Sequence, residues 1–213
     1  MSRGEAILND RLFVNYFIAT SEFKGSSCSK AQRISIELGS LTCDYTTLQE
    51  IIRIFKLFTS SSKPLIGYSD GMMRENEYLL SRSFQEFYVS PTSEISLYGL
   101  SQEHSFYGKL LKRIGIQYDM FNTGAYKLYG AQYAHSTCSK EQREITSMIL
   151  TQEANDWLTT VANALQINTN TLQELTWARK APLTLSEYLD KKMITGILYP
   201  DQMHNYYLEK SSL

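Results

Sequence analysis

Apolar alternation and helical spacing take turns along most of this chain. In "RISIELGSL", Ile34, Ile36 and Leu38 alternate with polar neighbours, which predicts a strand ending at Gly39. In "DYTTLQEIIRIFKLFTSS", Leu48, Ile51, Ile52, Phe55 and Phe58 fall at helical spacing, and Thr47 and Glu50 have the spacing of a capping box. A short apolar strand, "KPLIGYSD", follows, then a helix over "RENEYLLSRSF", a strand "EFYVSP" stopped by Pro91, and a further short strand "EISLYGL". "SFYGKLLKRIG" reads as a helix that Gly115 ends, and "IQYDMFN" as a strand. The longest helical pattern is "SKEQREITSMILTQEANDWLTTVANALQ". Ser139 and Gln142 have capping-box spacing there, and Ile145, Ile149, Trp157, Leu158, Val161 and Leu165 supply much of an apolar face. Two short helices near 170–177 and 184–192 precede an extended or helical tail. The first thirty residues are weakly patterned, with "RLFVNYFIAT" a candidate first strand and "KGSSCSK" a loop.

Strands separated by crossover helices imply right-handed βαβ units and a mostly parallel sheet. The expected organisation is an N-terminal extension over residues 1–30 and a single α/β domain over 31–213, a length that can bury a sizeable core. Composition changes this picture little: 43% hydrophobic and 20% charged residues are ordinary for a globular chain. Fifteen tyrosines suit half-buried strands and interfaces. A net charge of −1, with Lys and Arg scattered, lacks the basic footprint of a nucleic-acid binder. Cys28, Cys43 and Cys138 are odd in number and show no C-x-x-C spacing, so reduced thiols are expected rather than a disulfide framework or zinc site. No run approaches the ~18 apolar residues of a spanning helix, and the N-terminus does not read as a secretory signal.

From Leu38 to Tyr199 the order of segments resembles the S49 peptidase family of the signal peptide peptidase A or protease IV type. The segments are "ELGSLTCDYTTLQEIIRIF", "KPLIGYSDG", "EYLLSRSFQEFYVSPTSEISLYGL", "GKLLKRIGIQYDMFNTGAYK", "SKEQRE" and "LTLSEYLDKKMITGILYPDQM". The most specific piece is Gly124-Ala125-Tyr126-Lys127, and the match is most similar to the N-terminal half of two-domain, plastid-type members. The resemblance implies a ClpP/crotonase-like fold of stacked βαβ units, no cofactor, and a Ser–Lys dyad in which Lys127 occupies the general-base position. A serine hydroxyl is a weak nucleophile until a base takes its proton, and a lysine can do so when desolvation favours its neutral form.

The rest of that machinery departs from the family pattern. Arg74, Glu75 and Asn76 stand where the family's Ser-Gly-Gly element would lie, and no serine occurs between Asp70 and Leu80. Ser69 and Ser81 flank the segment. In "GSLTCD", Thr42 and Cys43 replace the glycines whose backbone N–H groups would face an oxyanion. The Ser-Ala that usually follows the lysine is replaced by Leu128-Tyr129. The resemblance therefore implies a catalytically impaired S49-type subunit, structural or lending Lys127 to a partner's serine, in a homo- or hetero-oligomer. It also implies possible peripheral membrane association and a plastid stromal or thylakoid location. The alternatives are an active Ser–Lys peptidase acting on signal peptides or membrane-protein fragments, and a non-catalytic interaction module.

Other constellations remain open at this level. His135 and Cys138 have H-x-x-C spacing without a second pair, so no metal is expected. Cys43 as a nucleophile would need His104 or His135 within reach. Lys109, Lys112 and Arg113 form either a solvated face or a stripe for anionic lipid. Tyr107, Tyr118, Tyr126, Tyr129 and Tyr133 surround the lysine loop as core, as subunit interface or as a substrate-binding aromatic box.

Overall fold

The computed structural model describes residues 17–18, 34–60, 64–121, 123–124 and 126–211. They divide into two units. One comprises the described residues up to Gly99 together with those from Leu158 onward, and the other is Leu100–Trp157.

The larger unit is built on a five-stranded sheet of order β1-β2-β3-β5-β7. Its strands are β1 (Phe17–Ile18), β2 (Ile34–Glu37), β3 (Leu65–Ser69), β5 (Glu86–Val89) and β7 (Gly196–Ile197). β2, β3, β5 and β7 run parallel, and β1 adds antiparallel to β2. A second, two-stranded parallel sheet pairs β4 (Met72–Met73) with β6 (Glu94–Ile95). The α/β class and mostly parallel sheet are as expected. All five residues of β3 are buried, as a central parallel strand covered on both faces requires.

One face of β3 is covered by α1 (Tyr45–Thr59), whose Leu48, Ile51, Ile52 and Phe55 are buried, and α2 (Glu75–Ser81) packs against α1. Each such side chain contributes roughly 1.5–3 kcal/mol on full burial. Phe55, Phe84 and Phe87 form a file of tilted rings with centroids 5.9 Å apart at each step. Ile66 and Tyr68 point to the other face, where Met203 of α8 (Pro200–Ser211) packs with Tyr88, Leu198, Tyr206 and Tyr207. Tyr206 donates to the Glu86 carboxylate, fastening α8 to the start of β5. Between these lie α6 (Thr169–Leu175) and α7 (Leu185–Asp190), at the two places where short helices were expected.

The smaller unit contains α3 (Gly108–Arg113), α4 (Ala131–Ala134) and the first part of α5 (Lys140–Leu165). Several local expectations need correction. Asp44, not Thr47, caps α1: its carboxylate accepts from the Thr47 N–H at 2.7 Å. Over residues 116–121 of "IQYDMFN" the expected strand does not form; Ile116, Tyr118 and Phe121 are exposed, and among the described residues no sheet edge receives them. The "EISLYGL" strand is only the two residues of β6, and the helix expected to begin near Ser105 begins at Gly108. On α5 the expected apolar face is buried only in its second half, at Trp157, Leu158, Val161 and Ala162, while Met148 and Ile149 are exposed. Residues 1–16 and 19–33, including Cys28 and most of "RLFVNYFIAT", lie outside the described residues.

Candidate functional site

Parallel α/β sheets gather their functional groups at the carboxyl ends of the strands, where loops leave for the next element. Here three connections meet at that edge: 38–44 after β2, 70–74 after β3 and 90–99 after β5. They are cross-tied by hydrogen bonds. Leu38 N–H donates to the Tyr68 carbonyl at 2.7 Å, and Ser90 N–H to the Ser69 carbonyl at 2.8 Å. Ser69 Oγ donates to the Leu38 carbonyl at 2.9 Å, and Ser93 Oγ to the Ser69 carbonyl at 2.9 Å.

The first turn of α2 stands at the centre of this edge. Arg74 precedes it in extended conformation and is exposed, Asn76 is half-buried, and Glu75 and Glu77 are buried. Glu77 holds two backbone donors: Leu41 N–H reaches Oε1 at 2.7 Å and Arg74 N–H reaches Oε2 at 3.0 Å. The second of these is half a capping box; the other half cannot form because an arginine side chain has no acceptor. Glu75 Oε1 accepts from the N–H groups of Tyr98 and Gly99, both at 2.7 Å. Two consecutive N–H groups converge on one oxygen because Gly99 adopts φ +96°, which a side chain would make costly. Two buried carboxylates, one residue apart, thus draw the 38–44 loop and the 90–99 loop onto the start of one helix. Charge-assisted bonds of this kind are among the stronger ones a fold makes.

Leu41, in the "GSLTCD" stretch, has its N–H committed to Glu77. Thr42 beside it is exposed, and Cys43 is half-buried. Burial pushes the Cys43 thiol above its ordinary value, and the carboxylates of Asp44 and Glu77 act in the same direction. That is the reverse of what an activated thiolate needs. The two flanking serines serve the fold. Ser69 is 1% exposed and donates to Leu38, and Ser81 is 0% exposed and donates to the Tyr78 carbonyl at 2.7 Å.

In the smaller unit, Lys127 sits in an exposed turn, its N–H donating to the Gly124 carbonyl at 3.3 Å. Of the five tyrosines near it, Tyr107, Tyr118 and Tyr133 share ring contacts, with centroids 6.1 Å apart for Tyr107–Tyr133 and 5.6 Å for Tyr118–Tyr133. Tyr126 reaches Glu144 on α5 at 3.5 Å, and Tyr129 is 92% exposed. His104 Nε2 lies 3.2 Å from Thr146 Oγ1. His135 is exposed at the end of α4, and Cys138 is half-buried beside α5. Among the described residues no group of three His, Cys, Asp or Glu side chains is arranged to hold a metal ion. Lys109, Lys112 and Arg113 are all exposed on α3.

The role of Glu77 at the start of α2, bonded to Leu41 and Arg74, is not legible in the sequence, where it stands only as one carboxylate that could pair with Lys127. Glu77 has capping-box spacing from Arg74, but arginine is not a capping residue, so the spacing gives no signal.

This sheet order, with a small second parallel sheet beside it, defines a ClpP/crotonase-like α/β protein. The same fold is found in a ClpP1 variant from Listeria monocytogenes, with a TM-score of 0.51 at 10% identity over 80% of this chain and 76% of that one. Residues 57–209 match the model of peptidase family S49, and the chain belongs to that family, in its signal peptide peptidase A or protease IV branch. It is 29% identical over 131 residues to the chloroplastic serine protease SPPA of Arabidopsis thaliana, a match covering 62% of this chain. It is 24% identical over 105 residues to Protease 4 of Haemophilus influenzae, covering 49% of this chain. These matches span only 19% and 17% of those two relatives.

Proposed function

We propose that this chain is an S49 subunit that does not complete a Ser–Lys dyad on its own, and that it offers Lys127 as general base to a serine supplied by another subunit. The observation that carries this reading is the occupancy of the α2 start. On the family resemblance Arg74, Glu75 and Asn76 fall at the nucleophile position and Thr42 and Cys43 at the oxyanion turn, and Glu77 ties Leu41, next to that turn, to the helix. In the shared site, neutral Lys127 Nζ takes the proton of the partner's serine Oγ as that oxygen attacks a peptide carbonyl. The lysine then returns the proton to the leaving amine, and water releases the acyl group by the same route. A lysine acts this way only where desolvation favours its neutral form, which a covering subunit supplies.

Two further parts of the reading rest on specific features. Leu110, Ile114, Phe121 and Tyr129 are exposed in the smaller unit, which favours burial against other subunits. The basic side chains of α3 lie beside the exposed Leu110 and Ile114, a combination suited to peripheral contact with an anionic membrane. The chloroplastic relative supports a plastid location.

A second reading, that the chain is itself an active serine peptidase, is favoured by the relatives' names as proteases. A serine-directed fluorophosphonate probe applied to the purified chain and to its native assembly separates the two. The expected result is no label on this chain, label on a partner, and loss of the partner's label in Lys127→Ala. Label on this chain's own serine would establish the second reading and end the first.

A further inference from the structure

The sheet face covered by α8 is polar for a surface beneath a helix. Residues paired directly across parallel strands share a face. The registers Ser35↔Ile66, Glu37↔Tyr68, Ile66↔Glu86 and Tyr68↔Tyr88 therefore put Ser35, Glu37, Glu86 and Tyr88 on the α8 side, with Ile66 and Tyr68. Met203 is the fully buried apolar contact that α8 makes there, and Tyr206 and Tyr207 are half-buried beside it. Much of the remaining hold is polar. Tyr206 and Tyr88 both donate to the Glu86 carboxylate, the latter at 3.2 Å, and Tyr68 Oη donates to the Leu198 carbonyl, just before α8, at 3.2 Å.

Glu37, the second carboxylate on this face, has no such partner. It ends β2 and is half-buried, and among the described residues its carboxylate accepts no hydrogen bond and meets no cation. The groups that face it are Asp70 in the connection after β3, Tyr68 on β3 and Tyr207 on α8. Asp201 of α8 lies near Tyr68, and Tyr88 of β5, which donates to Glu86, lies near Tyr207. β1, on the other side of β2, is Phe17–Ile18 and brings no titratable group. No lysine, arginine or histidine is among these groups. Burial holds the Glu37 carboxyl above its ordinary value, and the charge of Asp70 acts in the same direction. Glu37 and Asp70 also stand at the roots of the 38–44 and 70–74 connections, at the carboxyl edge of the sheet.

We propose that Glu37 and Asp70 form a pH-sensitive pair beneath α8: the helix is held tightly on the sheet when Glu37 is protonated, and its hold weakens when both carboxylates are charged. The helix keeps water from a charge that has no counter-charge, so lifting it restores hydration to that charge. A carboxyl whose folded value is raised contributes stability that is present below its unfolded value and is lost as pH rises through the folded one. The hold is therefore greatest in mild acid. The pair does not involve Lys127 and stands or falls separately from the shared dyad.

The test is hydrogen exchange of the full chain, read by mass spectrometry on α8 peptides. Protection is expressed relative to α1, after correction for the intrinsic pH dependence of exchange. Lowering the pH from about 8 to about 4.5 is expected to raise the relative protection of α8 at least about threefold. Glu37→Gln is expected to keep the acid level of protection across the whole range. Asp70 is exposed, so Asp70→Asn disturbs the fold little, and it is expected to make the change smaller. Relative protection that is flat or falls in acid, a Glu37→Gln variant with the wild-type slope, or an Asp70→Asn slope as steep as that of wild type would each overturn the proposal.

Discussion

Gly67 lies at the centre of β3, and a Cβ built there would stand 2.1 Å from Phe84 Cδ2 and 2.9 Å from Phe87 Cδ2. Both rings belong to the file of aromatics that fills one side of the sheet, so neither can move without displacing the next. Gly67→Ala is expected to destabilise the fold by about 1–3 kcal/mol, as overpacking of a dense core does. The check is the urea midpoint at unchanged m-value, and an unshifted midpoint would show that the ring file yields freely. Cys43 offers a second residue-level outcome with a definite sign. Because burial and the neighbouring carboxylates raise its thiol, the fraction of thiolate at mildly alkaline pH is lower than for an ordinary cysteine. The pH at which iodoacetamide labelling of Cys43 reaches half its maximal rate should therefore lie above that of a small-molecule thiol, as read by peptide mass spectrometry. A midpoint below the model thiol would restore Cys43 as a reactive group.

At the scale of elements, the helices were legible where apolar spacing coincided with a local stop. α1, α6 and α7 fall close to their predicted places because their signals are internal to each segment. The alternation over 116–121 does not become a strand because alternation records only what a sheet could accept, and among the described residues no neighbouring edge accepts it. α7 shows a cap doing what its sequence says. Thr184 Oγ1 accepts from Glu187 N–H at 3.3 Å, and the Glu187 carboxylate accepts from Thr184 N–H at 2.7 Å. The backbone bond from Thr184 first, and then the Thr184 Oγ1–H bond to the same carboxylate at 3.0 Å, lower the Glu187 pKa. A depressed carboxylate stabilises the fold above its unfolded value and loses that contribution as pH falls through the folded value. Thr184→Ala should cost about 1 kcal/mol at neutral pH, and the gap to wild type should narrow in acid, measured as urea midpoints across that range. α2 follows a different rule, since its start is fixed by ties to two distant loops. Glu77→Ala, which strands the N–H groups of Leu41 and Arg74, is expected to cost about 1–3 kcal/mol. Hydrogen exchange at Leu41 should accelerate in that variant more than in Glu77→Gln, which keeps an acceptor. Equal protection in all three proteins would mean that the loop is held by something else.

For the whole molecule, the distribution of exposed apolar side chains matters most. The larger unit covers both faces of β3, whereas the smaller one leaves Phe121 at 94% and Tyr129 at 92% exposed. The native chain is expected to sediment as an oligomer, and a double variant, Phe121→Asp with Tyr129→Asp, to lower that mass with its circular dichroism unchanged. A wild-type monomer would remove the assembly from the proposed function. By itself the sequence determined the α/β class, the parallel order and the S49 resemblance, because these depend on apolar period, turn residues and the order of segments. It also placed Arg74, Glu75 and Asn76 where the resemblance expects a Ser-Gly-Gly element, since residue identity needs no fold to be read. Only the tertiary structure decided what holds the start of α2, because Glu77 meets Leu41 across 36 residues and Glu75 meets Gly99 across 24. Likewise Glu37 and Asp70 become neighbours beneath α8 through the winding of the chain around the sheet, and such proximity has no period in a linear sequence to betray it.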